Sequence, residues 1–246
     1  MIAPEERLAA AIASLILDPS APPARHIAVG AASPIPAAAC WLVRKMGQPV
    51  RLSLLHKRTG NPFTEGTREL FDLAGQGRID LFFLGGGQID GEANINLIGT
   101  GEWPGRTVRF PGSFGSAFMY LMVPRTILFR EEHSRRVLVP RVEAVSAPGL
   151  SPPGHFRRGT AQALVTGRCV FRFERGRFRL TSRHPGQSAA DIRAATGFDY
   201  DGEDAPETPD PTSEQLALLR GPVRAEMLET YPEFCARVWP QRIEAA

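Results

Sequence analysis

The sequence predicts an α/β fold with a mainly parallel central sheet flanked by helices, and with an extra β-hairpin. Its 246 residues, 43% of them hydrophobic and 22% charged, are enough to bury a core without disulfide or metal support. In the first third of the chain, short apolar runs alternate with helical patterns, as in sheets covered by helices. Alternating phenylalanines later in the chain indicate the hairpin. No linker is visible, so we expect a single domain over residues 1–246.

Helices and strands alternate in the N-terminal part of the chain. Leu8, Ile12 and Leu15 recur at helical spacing, and Pro19 ends this first helix. Apolar runs bounded by Gly or Pro predict strands, and amphipathic spacing predicts helices between them. The expected strands cover 26–29, 50–55 and 79–84, and the expected helices cover 37–46 and 67–74.

The rest of the chain is richer in predicted β-structure. The hairpin over 169–180 turns at Arg175-Gly176, with its phenylalanines on one face. Ser188 and Asp191 form the start signal of a further helix. The other expected elements are strands over 107–110, 126–129 and 141–145, a helix over 116–121, an irregular acidic segment over 201–211, and a last helix starting at Asp210-Pro211.

Charge and cysteine usage narrow the class of protein. The 29 basic and 26 acidic residues give a net charge of +3, which is too balanced to indicate a nucleic-acid or lipid partner. Cys40, Cys169 and Cys235 show no C-x-x-C spacing, so neither a disulfide framework nor a metal site is predicted. The first apolar stretch follows acidic residues, unlike a signal peptide, and no uncharged run is long enough to cross a membrane. We therefore expect a cytoplasmic protein with no membrane partner.

A group of arginines raises nucleic-acid binding as an alternative function. Phe171, Phe173 and Phe178 lie between these arginines and would add stacking surfaces if they were exposed. On an alternating hairpin, however, the phenylalanines face the core and the arginines face water, so nucleic acid is not the favoured partner. The arginines are Arg157, Arg158, Arg168, Arg172, Arg175, Arg177, Arg179 and Arg183.

Small residues occupy three junctions between a predicted strand and the following segment. They are Gly30, the triplet Gly85-Gly86-Gly87, and Gly112-Ser113. Glycine at the C-terminal end of a parallel strand lets the backbone approach a ligand, and its N–H group can receive an oxyanion or phosphate. Each of these loops alone is equally compatible with a structural turn, and Asp90 and Asn94 are common turn formers.

Six motifs in the right order resemble the β subunit of class I CoA-transferases, particularly the glutaconate type. They are V-G-x-x-x-P at 29–34, G-G-x-Q-I-D-x-x-x-N-x-N at 85–96, P-G-S at 111–113, V-x-A-V-S-A-P-G at 142–149, A-A-T-G-F-D at 194–199 and P-T-x-E-Q-L-x-L-L-R at 211–220. The resemblance implies the open α/β CoA-transferase-like fold, a partner α-like subunit and an active site between the two subunits. It also implies a coenzyme A thioester as substrate, with no permanently bound cofactor.

In this family, a glutamate of the β subunit attacks the acyl-CoA thioester, and an enzyme-bound glutamyl-CoA thioester forms while backbone amides stabilise the oxyanion. By resemblance, the substrate and oxyanion loops of this chain comprise Gly30, Gly85, Gly86, Gly87, Gln88, Asp90, Asn94, Gly112 and Ser113.

The family glutamate lies at the end of the second strand, and that position in this chain is His56. Histidine cannot form a glutamyl-CoA thioester, although its imidazole can act as a base. Glu65 and Glu69 fall outside the motif position. Two loop residues also depart from the family pattern: Ala93 stands where glycine is usual, and Phe114 replaces a glycine.

Three alternatives for the chain follow from His56. The chain resembles a related group of ring-opening acyl-CoA hydrolases whose β subunit lacks the glutamate and whose α subunit supplies a carboxylate. His56 could instead be a structural residue in a non-catalytic or phosphate-binding subunit. The principal expectation is the β-like subunit of a CoA-transferase-family enzyme, which acts on an acyl-CoA thioester and forms its active site with an α subunit.

Overall fold

The computed structural model describes residues 1–240 except 58, 60–62, 64 and 103. These residues form two compact units, one from Met1–Gly66 together with the segment from Pro209 onward, and one from Thr67–Thr208. The single domain expected from the sequence stays a prediction.

The helices are α1 (Pro4–Ile16), α2 (Pro34–Lys45), α3 (Thr67–Gly75), α4 (Ser116–Met122), α5 (Ala189–Ala195), α6 (Ser213–Leu218), α7 (Arg224–Met227) and α8 (Pro232–Val238), with a π-helix over Leu219–Val223 between α6 and α7. The strands are β1 (His26–Val29), β2 (Arg51–Leu54), β3 (Leu81–Leu84), β4 (Gln88–Ile89), β5 (Ile95–Asn96), β6 (Gly99–Thr100), β7 (Val108–Arg109), β8 (Arg125–Arg130), β9 (Thr160–Thr166), β10 (Cys169–Glu174) and β11 (Arg177–Arg183). No helix in this described part of the chain has the length and apolar character needed to cross a membrane.

The first unit contains a parallel strand pair with its connecting helix. Strands β1 and β2 pair in parallel, with Val29 opposite Leu54, and β1 is buried along its whole length. Both α1 and α2 have proline in their first turn, where no helical hydrogen bond is lost, and the two helices pack against each other. The carboxyl ends of β1 and β2 therefore lie side by side, and the segments that contain Gly30 and His56 leave the strands there.

A buried carboxylate joins the two ends of the chain within the first unit. Glu6 is 1% exposed, and its two oxygens accept hydrogen bonds from Arg220 Nε at 2.7 Å and Nη2 at 2.8 Å. Trp239 Nε1 and the Ala3 N–H also donate to it, at 3.1 and 2.9 Å. Burial by itself would raise the pKa of Glu6, but these hydrogen bonds and the Arg220 charge outweigh it and lower the pKa.

The second unit contains a five-stranded sheet in the order β11-β10-β9-β8-β3. Strands β3, β8 and β9 pair in parallel, and β10 and β11 add an antiparallel hairpin. Phe171 and Phe178 are fully buried in this hairpin. Arg175 and Gly176 both have positive φ, as a two-residue hairpin turn requires. The predicted α/β class, parallel pairing and hairpin are confirmed.

The predicted strand over 141–145 is wrong. This segment is irregular, because its backbone N–H groups donate hydrogen bonds to side chains of the Gly85–Asn96 segment. The Val142 N–H donates to Asp90 Oδ2 at 3.3 Å, and the Glu143 N–H donates to Gln88 Oε1 at 3.0 Å. Although the sequence of 141–145 alternates like a strand, the segment is a loop whose backbone binds polar side chains.

Two further elements differ from the sequence prediction. Strand β9 was not predicted, since the run T-A-Q-A-L-V-T contains small and polar residues, yet β9 pairs with β8 on one side and with β10 on the other. The last helical segment begins at Ser213 rather than at 210–211. Thr212 caps it by accepting a hydrogen bond from the Gln215 N–H.

A buried polar cluster in the second unit centres on His133. Its ring nitrogens lie 2.8 Å from Thr166 Oγ1 and 2.9 Å from Thr196 Oγ1, and the residue is 5% exposed. Burial, and then the charge of Arg168, lower the pKa of His133 to about 4. The imidazole is therefore neutral in the folded protein at neutral pH.

We expect stability to fall on acidification because of His133. The unfolded chain binds this proton below about pH 6.5 whereas the folded chain binds it only near pH 4. The free energy of unfolding should therefore have its full value above pH 6.5 and should fall by roughly 2–3 kcal/mol as the pH is lowered towards 4. Urea titrations at a series of pH values measure this drop. His133→Gln should flatten this dependence while lowering stability at pH 7, and the exposed control His155→Gln should follow the wild type. A wild-type curve that is flat between pH 6.5 and 4 would contradict the assignment.

Ala93 adopts a left-handed backbone conformation, with φ of 60°. This conformation costs an L-residue about 1–2 kcal/mol relative to glycine. The side chain is fully buried, and the carbonyl oxygen accepts a hydrogen bond from the Tyr120 hydroxyl at 3.1 Å. The position therefore has the backbone geometry for which glycine is usual, although an alanine fills it.

Ala93→Gly should change the free energy of unfolding by less than about 0.5 kcal/mol, because relief of backbone strain offsets the lost methyl burial and the added chain entropy. The matched control is Ala163→Gly, since Ala163 is also fully buried but lies within strand β9. There we expect a loss of about 1.5–2 kcal/mol. Chemical denaturation of both variants measures the difference, and equal losses would refute the strain at Ala93.

Candidate functional site

In the first unit, the structure brings together two of the predicted site residues, Gly30 and His56. Gly30 follows β1, and His56 lies in a turn just beyond β2. The Leu55 N–H donates to the Val29 carbonyl oxygen at 3.0 Å, which extends the strand pairing to the start of both loops. His56 is exposed, so its imidazole is available to a ligand or to a partner protein.

A tyrosine that sequence reasoning missed lies between these two residues. The ring of Tyr231 is stacked on the ring of His56, with a centroid distance of 5.7 Å and an interplanar angle of 13°. Its hydroxyl donates to the carbonyl oxygen of Ala31 at 3.0 Å and lies 3.4 Å from that of Gly30. No spacing pattern connects residues that are about 175 to 200 positions apart, and so no signal in the sequence pointed to Tyr231.

The glycine triplet in the second unit is explained by close packing. A Cβ at Gly85 would lie 2.9 Å from the Phe129 carbonyl oxygen, and one at Gly86 would lie 2.7 Å from the Gln88 carbonyl oxygen. At Gly87 it would overlap the ring of Phe110. At the triplet, the backbone packs directly against other backbone atoms and against an aromatic ring. Close packing therefore explains these glycines without a ligand, although it is also compatible with a ligand-binding loop.

Phe110 and Gly112 join the two glycine loops of the second unit. Besides the contact of Phe110 with Gly87, the Gly87 N–H donates to the Asn96 carbonyl oxygen and the Gly112 N–H donates to the Leu97 carbonyl oxygen, both at 2.9 Å. The predicted loops at 85–88 and 112–113 are thus neighbours. Their Gly87 and Gly112 amides already have internal acceptors.

Gln88 is fixed by a network that includes Glu143, a second residue missed in the sequence. Gln88 Oε1 accepts from Asn96 Nδ2 at 2.8 Å, and Gln88 Nε2 donates to Glu143 Oε1 at 2.9 Å. The Gly101 N–H donates to the other oxygen of Glu143 at 2.6 Å. This hydrogen bond, followed by that from Gln88, lowers the pKa of Glu143. The sequence showed Glu143 only as a variable position inside V-x-A-V, and long-range side-chain pairing leaves no local pattern.

Asp90 and Asn94 hold a tight turn. One oxygen of Asp90 accepts from the N–H groups of Glu92 and Asn94, both at 3.1 Å, and Asn94 Oδ1 accepts from the Gly149 N–H at 3.0 Å. Asp90 is 3% exposed, so its carboxylate serves the protein backbone.

The turn also borders a cavity of about 730 Å³ within the second unit. A volume of this size is typical of small-molecule sites. The 85–96 and 194–199 motifs meet here, and the lining includes both signs of charge, so the cavity suits a polar ligand. The charged lining residues are Asp90, Glu92, Arg141, Arg177 and Asp199.

Phe114 stands out in the third loop. It is 79% exposed and has a positive φ of 42°, which is uncommon for a bulky residue. Its ring packs against Phe71, with centroids 5.5 Å apart, and Phe71 in turn contacts Phe118. Ser113 precedes it and is partly exposed.

Two further candidate chemistries, metal binding and nucleic-acid binding, concern other parts of the chain. Within the described ranges, no group of three or more His, Cys, Asp or Glu side chains is arranged to hold a metal ion. The phenylalanines beside the arginines are buried rather than available for stacking on bases. Several of those arginines bind protein groups: Arg183 donates to the carbonyl oxygens of Ala205 and Gln187, and Arg177 pairs with Asp201.

The chain is an α/β protein in which the loops that begin at Gly30 and Gly85 leave the carboxyl ends of parallel strands, the edge at which open sheets of this type bind ligands. Residues 43–195 match the family model described as Coenzyme A transferase, and the chain belongs to that family. The resemblance noted from the sequence motifs is thereby confirmed.

Three curated relatives are each 31% identical to the chain. The B subunit of 3-oxoadipate CoA-transferase from Pseudomonas knackmussii aligns over 58% of this chain and 58% of its own length. The B subunit of glutaconate CoA-transferase from Acidaminococcus fermentans aligns over 56% and 54%. The cholesterol ring-cleaving hydrolase IpdB subunit of Rhodococcus jostii aligns over 62% of each. The chain thus spans somewhat more than half the length of these relatives.

Solved structures extend the likeness along most of the chain. The decarboxylase AibA/AibB matches with a TM-score of 0.75 at 26% identity, over 89% of this chain and 94% of that chain. IpdAB of Rhodococcus jostii RHA1 matches with a TM-score of 0.77 at 25% identity, over the same shares. Glutaconate coenzyme A-transferase from Acidaminococcus fermentans, at 21% identity and a TM-score of 0.75, supports the fold alone.

Gly87→Ala should destabilise the second unit by about 2 kcal/mol or more, because the added methyl overlaps the Phe110 ring. Gly105→Ala is the matched control, since no described atom lies within 4 Å of a Cβ there and its φ is not positive. Denaturant titration of both variants tests the expectation. The double variant with Phe110→Leu should recover part of the loss, and additivity of the two changes would contradict the contact.

Proposed function

We propose that the chain is the β-like half of a two-subunit enzyme that acts on an acyl-CoA thioester. Support comes from the family match and from relatives that are named as one subunit of a CoA-transferase or of a hydrolase. The neighbours AibA/AibB and IpdAB each carry a two-part name, and this chain covers 94% of one chain of each structure. The partner is accordingly an α-like subunit.

The observation that carries the proposed chemistry is the exposed imidazole of His56 at the end of β2. By the motif resemblance, we take His56 to stand at the position of the family's nucleophilic glutamate. An imidazole cannot serve as the carboxylate carrier of CoA, but it can accept and return a proton. We therefore favour cleavage of the acyl group with proton transfer, as in hydrolysis, over CoA transfer through this chain.

In this mechanism, a water molecule loses a proton to the His56 imidazole and its oxygen attacks a carbonyl carbon of the acyl substrate. The carbonyl oxygen takes up the electron pair, and backbone N–H groups of the Gly30 loop, beside His56, are candidates to stabilise it. When the intermediate collapses, the bond to the leaving carbon or sulfur breaks and the imidazolium returns the proton to the leaving atom. A carboxylate from the partner would assist the same step.

CoA transfer stays the second candidate, because two of the relatives are named as CoA-transferase subunits. It would require the covalent glutamyl-CoA to form on the partner or on another glutamate of this chain. The two candidates differ in one observable, which is the CoA adduct.

His56→Ala in the complex with the α-like subunit should lower kcat by about 10²-fold or more, as for the loss of a general base. The control His155→Ala changes an exposed histidine in the second unit and should leave kcat unchanged. Turnover of acyl-CoA by the coexpressed complex is the measurement, with intact-mass analysis of each subunit. A CoA adduct on this chain, or wild-type turnover by His56→Ala, would overturn the proposal.

A further inference from the structure

Tyr231 is held in place by the hydroxyl at the end of its side chain and by its own backbone N–H. Its hydroxyl donates to the Ala31 carbonyl oxygen at 3.0 Å, in the loop that follows β1. Burial raises the pKa of Tyr231 to about 12, so the hydroxyl keeps its proton and remains a donor at neutral pH. The Tyr231 N–H donates to the Met227 carbonyl oxygen at 2.8 Å, and the residue caps α8 ahead of Pro232.

His56, by contrast, lies in an exposed turn of the chain. A solvent-exposed side chain there would exchange freely between rotamers. The nearly parallel Tyr231 ring, 5.7 Å away at 13°, is an offset-stacked partner that favours one orientation of the imidazole. The Tyr231 ring, which the fold holds in place, therefore contacts the His56 imidazole, which its own turn does not hold in place.

The same tyrosine also fixes the Gly30 loop. Gly30 has no positive φ, and a Cβ there would meet only Ser33 Oγ at an ordinary 3.6 Å, so glycine is not required by packing. The hydroxyl contacts to the carbonyl oxygens of Gly30 and Ala31 set the position of this loop. One side chain thus links the two strand-end loops of the first unit.

We propose that Tyr231 is a positioning residue for His56, and that it holds the imidazole in a fixed relation to the Gly30–Ala31 loop against which the substrate would lie. This inference rests on the proposed function, since it assigns Tyr231 a role through His56. Small displacements of a proton-transfer group lower the rate without equal loss of substrate binding. Tyr231 should therefore affect kcat more than KM.

The test uses Tyr231→Leu, which removes the stacking, and Tyr231→Phe, which keeps the ring and removes the hydroxyl contact. In the complex with the α-like subunit, Tyr231→Leu should lower kcat at least about tenfold with KM changed less than about threefold. Tyr231→Phe keeps the stacked ring but loses the hydroxyl contacts to the Gly30–Ala31 loop, so its kcat should lie between those of the wild type and Tyr231→Leu. The control Tyr200→Phe removes a tyrosine hydroxyl in the second unit that has no hydrogen-bond partner among the described residues, and it should leave kcat unchanged.

A readout independent of activity separates this inference from the proposed function. The ring signals of His56 in a heteronuclear NMR spectrum, assigned by their loss in His56→Gln, should carry an upfield ring-current shift in the wild type and in Tyr231→Phe. The shift should disappear in Tyr231→Leu. Should Tyr231→Leu prove unable to fold, Tyr231→Phe still decides the matter through the ring-current shift that its His56 signals should retain.

Unchanged His56 signals in Tyr231→Leu, a wild-type kcat in that variant, or loss of the shift in Tyr231→Phe would overturn the positioning role. Wild-type activity of His56→Ala together with the expected NMR shifts would instead contradict the proposed function while leaving the Tyr231–His56 contact intact.

Discussion

The buried contact of Glu6 with Arg220 is the constraint on which the candidate site of the first unit depends. The two residues are 214 positions apart, and the carboxylate is 1% exposed with four donors satisfying it. A buried carboxylate that lost its guanidinium partner would be left uncompensated, so the C-terminal helices are bound firmly to α1. Tyr231 reaches the ends of β1 and β2 because this segment is held there.

A network of polar side chains has the corresponding role in the second unit. The side chain of Gln88 binds the side chains of Asn96 and Glu143 and the backbone N–H of Glu143. Their hydrogen bonds replace the ladder that a strand over 141–145 would have made. The loops that the sequence predicted as ligand contacts are therefore held in position by side chains from elsewhere in this unit.

Periodicity predicted the elements whose partners are local or alternate regularly. The strands β1 to β3, the hairpin with its Arg175-Gly176 turn and the helix capped by Ser188 follow from patterns within a few residues. Strand β9 was not predicted, because its burial depends on the strands on both sides of it rather than on its composition. Tyr231 and Glu143 were not predicted as site residues, because their contacts are with residues far away in the chain. The motifs indicated His56 and the glycine loops, but the close packing around the glycine triplet could not be predicted from the sequence, because it depends on residues from other elements.

Binding of an acyl-CoA by these strand-end loops, in the complex with an α-like subunit, is what the proposed function requires above all. Hydrogen exchange measured by mass spectrometry on that complex, with and without a non-hydrolysable acyl-CoA analogue, tests it most directly. We expect the analogue to slow exchange in the segments 30–33 and 55–57 of the first unit. Saturating binding of the analogue with unchanged exchange in both segments would contradict the claim.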